Sequence, residues 1–164
     1  MAKLYTIKGV DTVMKNLDKK ISSFQKNITS AGFIRVAMEI YKRADTNTPL
    51  VPVDTGNLRA SYFAFVKDSQ GSESSFSTTA GRKKGIKKEL LQQQQANKSR
   101  AKSTLKKLAK NGGMVFGFAA NYAIPVHENH TANWKRPGAG SNYFLAHLKA
   151  AKGTIIKILK DSAK

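Results

Sequence analysis

The feature that most constrains this chain is an abrupt change of character between residues 69 and 112. There a Ser/Thr/Gly-rich piece (SQGSESSFSTTAG) runs into RKKGIKKELLQQQQANKSRAKSTLKKLAKNGG. From Arg82 to Lys110 the only large apolar residues are Ile86, Leu90, Leu91, Leu105 and Leu108. So few apolar side chains cannot close an independent core, although the good helix formers from Gln92 to Lys110 favour a helix. The segment 69–112 therefore reads as a basic, partly helical insertion or arm. Residues 1–68 and 113–164 must fold together as one domain. A chain of 164 residues with 40% hydrophobic content suits a single modest core.

The same segment concentrates charge. The chain carries a formal net charge of +19. Arg82 to Lys110 holds eleven basic residues against the single acid Glu89, which is about half of that excess. Such an imbalance points to an anionic partner, nucleic acid, an acidic protein surface or a membrane, and says nothing about fold. The chain has no cysteine, which excludes a disulfide framework, thiolate metal sites and a cysteine nucleophile. No apolar run approaches the roughly 18 residues a membrane span needs, and the first twenty residues lack a signal-peptide core. The expectation is a soluble, unexported protein with no membrane partner.

The prolines at 49, 52, 125 and 137 mark turns or element boundaries and leave long stretches free to be helical. Lys3 to Lys8 suits a short strand. Asp11 is placed to cap a helix with apolar positions Met14, Leu17, Ile21, Phe24 and Ile28. A second helical pattern (Phe33, Val36, Ala37, Ile40, Tyr41, Ala44) follows Gly32 and must stop before Pro49. One long helix bent near Gly32 fits equally well. Asp54-Thr55-Gly56 reads as a capped turn and Ala60 to Lys67 as a strand. Both faces of that strand are apolar, so it is either central and covered on each side or meets a partner subunit. Met114 to Phe118 alternates like a strand, and Tyr122 to Asn129 is a short element interrupted by Pro125. A polar loop covers 130–141. Asn142 is placed to cap a final helix with the stripe Phe144, Leu148, Ala151, Ile155 and Leu159. The fold class is α+β, with a long amino-terminal helical region, a small mostly antiparallel sheet and a carboxy-terminal helix.

No catalytic signature survives inspection. His127-Glu128-Asn129-His130 is one residue short of the His-Glu-x-x-His spacing that sets two imidazoles one helical turn apart, and it reads as loop histidines with no metal. Ser61, His147 and Asp54 compose a triad on paper only. GRKKG lacks the Gly-Lys-Ser/Thr ending of a phosphate loop. The remaining signal is the basic arm. Arg82, Lys83, Lys84, Lys87, Lys88, Arg100, Lys102, Lys106 and Lys107 are its candidate contacts with DNA or an acidic partner, against the plain reading of a solvated helix. With Phe76 alone available for stacking, it does not read as a single-strand platform.

Four strings, in order, resemble the neck or tail-completion proteins of tailed bacteriophages, also described as minor capsid or head-to-tail joining proteins. They are Ile7-Lys8-Gly9-Val10-Asp11 before the first helix, Thr48-Pro49 through Asp54-Thr55-Gly56-Asn57-Leu58-Arg59-Ala60-Ser61, Tyr122-Ala123 with Val126-His127-Glu128-Asn129, and Asn142-Tyr143-Phe144-Leu145. The chain departs from the family where Asn129-His130-Thr131 and a longer loop with Trp134 replace a Gly-Thr, and the arm has no counterpart. The resemblance implies a non-catalytic virion protein without cofactors, assembled in the host cytoplasm. It further implies a multi-copy ring around the DNA channel, beside connector, tail terminator, tube or tape-measure proteins. The motif residues it singles out are Asp54, Gly56, Leu58, Arg59, Tyr122, Glu128 and Phe144. Asp54 would cap, Gly56 would take a positive φ, and Leu58 and Tyr122 would pack in the core. Arg59 facing Glu128 would pin the strand to the short helix. The competing reading is a free basic nucleic-acid-binding protein, and a small hydrolase or metalloenzyme comes third.

Overall fold

The computed structural model describes residues 10–79, 87–108 and 112–163. The strand expected over Lys3–Lys8 and the basic residues Arg82, Lys83, Lys84 and Lys110 lie outside them.

Two helices open the described chain, α1 (Val10–Asn27) and α2 (Ser30–Thr46). α1 starts ahead of Asp11, which sits inside its first turn and not before it. The break between the helices falls at Thr29, not at Gly32. Thr29 is extended and its hydroxyl accepts the Gly32 N–H at 3.2 Å, supplying a partner that the first turn of α2 otherwise lacks. Val36, Ala37, Ile40 and Ala44 of α2 are completely buried, so α2 is the core helix.

α2 leads through a turn to the central strand β1 (Tyr62–Lys67), preceded by one 3-10 turn at Arg59–Ser61. The strand is thus shorter at its start than its apolar run suggests. β1 pairs antiparallel with β2 (Glu73–Ser77) on one side and with β3 (Gly113–Phe118) on the other. Its two apolar faces follow from that position. The Tyr62 face turns to α2, with the Tyr62 hydroxyl donating to the Ala37 carbonyl at 2.7 Å. Met114, Phe116 and Phe118 stand opposite Val66, Ala64 and Tyr62 on this face, as the alternation predicts. The Phe63 face is covered by α3 (Lys88–Leu108), whose Lys98 reaches Ser77, the register partner of Phe63.

The segment set apart by composition thus contributes an edge strand and a covering helix to this sheet. β2 was not foreseen, because Glu-Ser-Ser-Phe-Ser has little intrinsic strand preference. Its ladder to β1 and the contacts of Phe76 with Tyr41 and Tyr62 hold it there.

After β3 come α4 (Ala123–Glu128), α5 (Tyr143–Ala150) and α6 (Lys152–Ser162). Pro125 lies in the first turn of α4, where no backbone donor is needed, so it does not interrupt the element. The single carboxy-terminal helix is divided at Ala151. Asn142 does not cap it with its side chain. It adopts a left-handed conformation (φ 54°), and its N–H donates to the His127 carbonyl at 2.7 Å. The result is an α+β fold with an all-antiparallel three-stranded sheet between helices. One core cluster joins Ala44, Val51, Leu58, Ala120 and Tyr143, with Phe118, Tyr122, Val126 and Phe144 packed against it. Among the described residues no helix is long and apolar enough to cross a membrane.

Candidate functional site

The string Asp54-Thr55-Gly56-Asn57-Leu58 forms one wall of a cleft of about 470 Å³. Gly56 makes the turn possible: its φ of 76° is a left-handed backbone that side chains with a Cβ resist. The Gly56 carbonyl then accepts the Ala60 N–H at 2.9 Å and opens the 3-10 turn. Pro52 and Leu58 are buried in the floor, Tyr122 and Val126 of α4 form the opposite wall, Leu90 of α3 closes one end, and Trp134 lies at the other loop. Across its rim, Lys135 Nζ meets Asp54 Oδ1 at 2.6 Å, both side chains well exposed. Such an exposed pair contributes little and opens easily.

Asn57 ties the cleft to the rest of the fold. It is 1% exposed, its amide donates to the Tyr122 hydroxyl at 2.9 Å, and its Oδ1 accepts from the Gln94 amide at 2.6 Å. A buried polar chain thus connects the turn, α4 and α3. Neither Asn57 nor Gln94 stands out in the sequence. One is a turn residue, the other one of four consecutive glutamines.

Arg59 does not meet Glu128. Its guanidinium donates twice to Asp45 near the end of α2, Nε to Oδ1 and Nη2 to Oδ2, each at 2.5 Å. That bidentate bond is the main reason its pKa lies above the ordinary arginine value. Arg136 approaches from the 130–141 loop, donating to Asp45 Oδ1 at 3.4 Å, to the Asp45 carbonyl at 2.7 Å and to the Val51 carbonyl at 2.9 Å. A carboxylate in the last turn of a helix opposes the helix dipole, and two guanidinium groups compensate for it here. Sequence reasoning missed both Asp45 and Arg136, because the separations of 14 and 91 residues leave no local trace. Glu128 ends α4, exposed.

Three of the other motif residues, Leu58, Tyr122 and Phe144, are packing groups. Leu58 and Tyr122 join the core cluster as expected, and Phe144 stacks edge-on against Phe116 and Phe118. Asp54 engages Lys135 on the surface.

The residues of the paper triad and of the His-Glu string have separate partners. Buried Ser61 donates to the Leu58 carbonyl at 2.7 Å and accepts the Ala120 N–H. His147 Nε2 lies 2.9 Å from the Pro49 carbonyl. His127 Nε2 accepts the Leu145 N–H at 3.4 Å, and His130 Nδ1 lies 2.7 Å from the Ser141 hydroxyl. Burial lowers the pKa of His127, partly opposed by the charge of Glu128. Among the described residues no three His, Cys, Asp or Glu side chains converge as a metal site would need.

Two surfaces remain. The outer side of α3 exposes Lys87 just before it, then Lys88, Arg100, Lys102, Lys106 and Lys107, with Lys102 lying 3.5 Å from Glu73 of β2. Helical spacing spreads these cations over the side opposite buried Gln94 and Leu105, a broad basic face without aromatic interleaving. The second surface is α1. Its apolar stripe is in water, with Val13 66%, Met14 51%, Leu17 48%, Ile21 45% and Phe24 38% exposed.

No family model, curated protein or solved structure matches the chain.

Proposed function

We propose that this chain is a structural subunit that works in several copies, of the kind that joins head to tail in the neck of a tailed bacteriophage virion, and that it is not an enzyme. The observation that carries the multi-copy reading is α1. An amphipathic helix normally turns its stripe into its own core. Here, among the described residues, the stripe from Val13 to Phe24 stays between 38% and 66% exposed. Full burial of an aliphatic or aromatic side chain stabilises by about 1.5–3 kcal/mol, so five side chains roughly half in water leave about 5 kcal/mol to be gained by association.

The phage assignment rests on the ordered strings. Their apolar members, Leu58, Tyr122, Val126, Tyr143 and Phe144, meet in one core cluster, as packing motifs of a single fold should. The basic face of α3 suits a subunit beside a DNA channel or against acidic neighbouring subunits such as connector, tail terminator, tube or tape-measure proteins.

The test is light scattering and negative-stain imaging of the purified chain, with and without duplex DNA. Closed rings or discrete oligomers without DNA are the expected result. A monomer at every concentration that shifts only when DNA is added would overturn it in favour of a free nucleic-acid-binding protein, the reading that the α3 face alone favours.

A further inference from the structure

We infer that the α1 stripe of one copy seats in the cleft between the 52–58 turn and α4 of the next copy, so that assembly is head-to-tail. This rests on the multi-copy reading and specifies its interface. The chain presents an unburied apolar helix face and, elsewhere, an open, largely apolar groove. Met14, Leu17, Ile21 and Phe24 recur at the i, i+3, i+7 and i+10 spacing of a helix anchoring itself in a groove. The cleft, at about 470 Å³, lies in the range of preformed binding pockets and offers Val53, Leu90, Tyr122 and Trp134 to incoming side chains.

Charge agrees with this occupant. Asp18 and Lys20 flank the stripe on opposite sides, while the cleft rim carries one acid and one base, Asp54 and Lys135. That exposed rim pair can exchange partners with the flanks of the entering helix at little cost. The two patches differ, so the interface is heterologous. Repetition then gives a ring where the rotation closes and a filament where it does not.

Mixing two variants tests this. Leu17→Asp with Ile21→Asp spoils the helix face and leaves the cleft intact. Val53→Arg with Trp134→Ala spoils the cleft and leaves the helix intact. Each alone is expected to weaken association by about tenfold or more, the usual consequence of removing central anchors. Mixed together, they should form a dimer that grows no further, because only one working interface remains per pair. The chain lacks cysteine, so Leu17→Cys mixed with Val53→Cys should also yield a disulfide-linked dimer under oxidation.

Oligomers that survive the cleft substitutions, or a mixture that stays monomeric, overturn the seating of α1 in the cleft and leave the multi-copy reading standing. A wild-type chain that never associates overturns both. Circular dichroism of the variants distinguishes a weakened interface from a misfolded chain. The cysteine pair, which leaves the apolar surface nearly intact, reports the interface even where Val53→Arg fails to fold.

Discussion

Replacing Asp45 by Asn tests the clamp that joins α2, the 3-10 turn and the 130–141 loop. The change keeps the shape and an acceptor oxygen, and removes the charge that two guanidinium groups share. Asp45 is 15% exposed, and Arg59 and Arg136 are 30% and 22% exposed, so the pair lies between a surface ion pair and a buried one. Surface pairs contribute up to about 1 kcal/mol, and hydrogen bonds to charged groups about 1.5–3 kcal/mol. With the bidentate bond at 2.5 Å and partial solvent screening, the expected loss is about 2 kcal/mol. For a chain of this size that lowers the melting temperature by about 4–8 °C. Thermal and urea unfolding followed by circular dichroism measure it. A double-mutant cycle with Arg59→Met should return a coupling of about 1 kcal/mol or more. Glu128→Gln is the control, and should leave stability within about 0.5 kcal/mol. A melting temperature unchanged in Asp45→Asn, or a larger loss in Glu128→Gln, refutes the reasoning and restores the Arg59–Glu128 pairing that motif chemistry suggests.

Gly32→Ala should destabilise by about 1–3 kcal/mol, because a Cβ there would overlap the side chain of Ser162 and force α6 away from α2. Ser162→Gly in the same chain should recover most of the loss, and denaturant midpoints decide between rescue and simple addition. The pKa of His127 is lowered by burial from its ordinary 6.5, so the unfolded chain takes up the proton first. The stability this contributes is full above 6.5 and fades as pH falls through the depressed folded value. Melting temperature should drop as pH falls below about 6.5, and His127→Asn should flatten that drop. If α3 contacts phosphates, changing Lys88, Arg100, Lys106 and Lys107 to Gln reduces the dependence of duplex binding on log salt by about 0.9 for each phosphate no longer neutralised. Binding insensitive to salt, or unaltered by the four substitutions, removes DNA from the role of this face.

The legible parts of the fold were those that depend on neighbours in sequence. Apolar spacing located α2, aromatic and β-branched content located β1, and alternation located β3. Glycine marked the turn at Gly56, whereas Pro125, read as an interruption, lies inside α4. The expectation that β1 is either central or at a subunit interface contained the right answer, and α2 and α3 supplied the two covers. The polar site was far less legible. Arg59 stood out as the residue to watch, but its partner was read from the nearest motif glutamate, while the carboxylate that meets it lies on α2. Asn57, Gln94 and Arg136 carry no pattern, since a hydrogen bond between residues tens of positions apart needs only that the fold bring two side chains within about 3 Å.

Composition separated the segment 69–112 from the rest, and that separation is real in chemistry: few large apolar residues, many cations, four consecutive glutamines. What composition could not decide is where such a segment goes. A five-residue serine-rich strand has no preference strong enough to announce itself, yet an open edge of β1 gives its backbone donors and acceptors partners. A lysine-rich helix can still cover a sheet, because Leu105 and Gln94 suffice to dock one side while the cations stay in water. By itself the sequence determined that α2 is helical, that β1 and β3 are extended and that α1 has an apolar stripe, since these follow from residue type and periodicity along the chain. Only the tertiary structure decided that α2 and not α1 fills the core, leaving that stripe exposed, because burial depends on which surfaces meet and not on how residues are spaced.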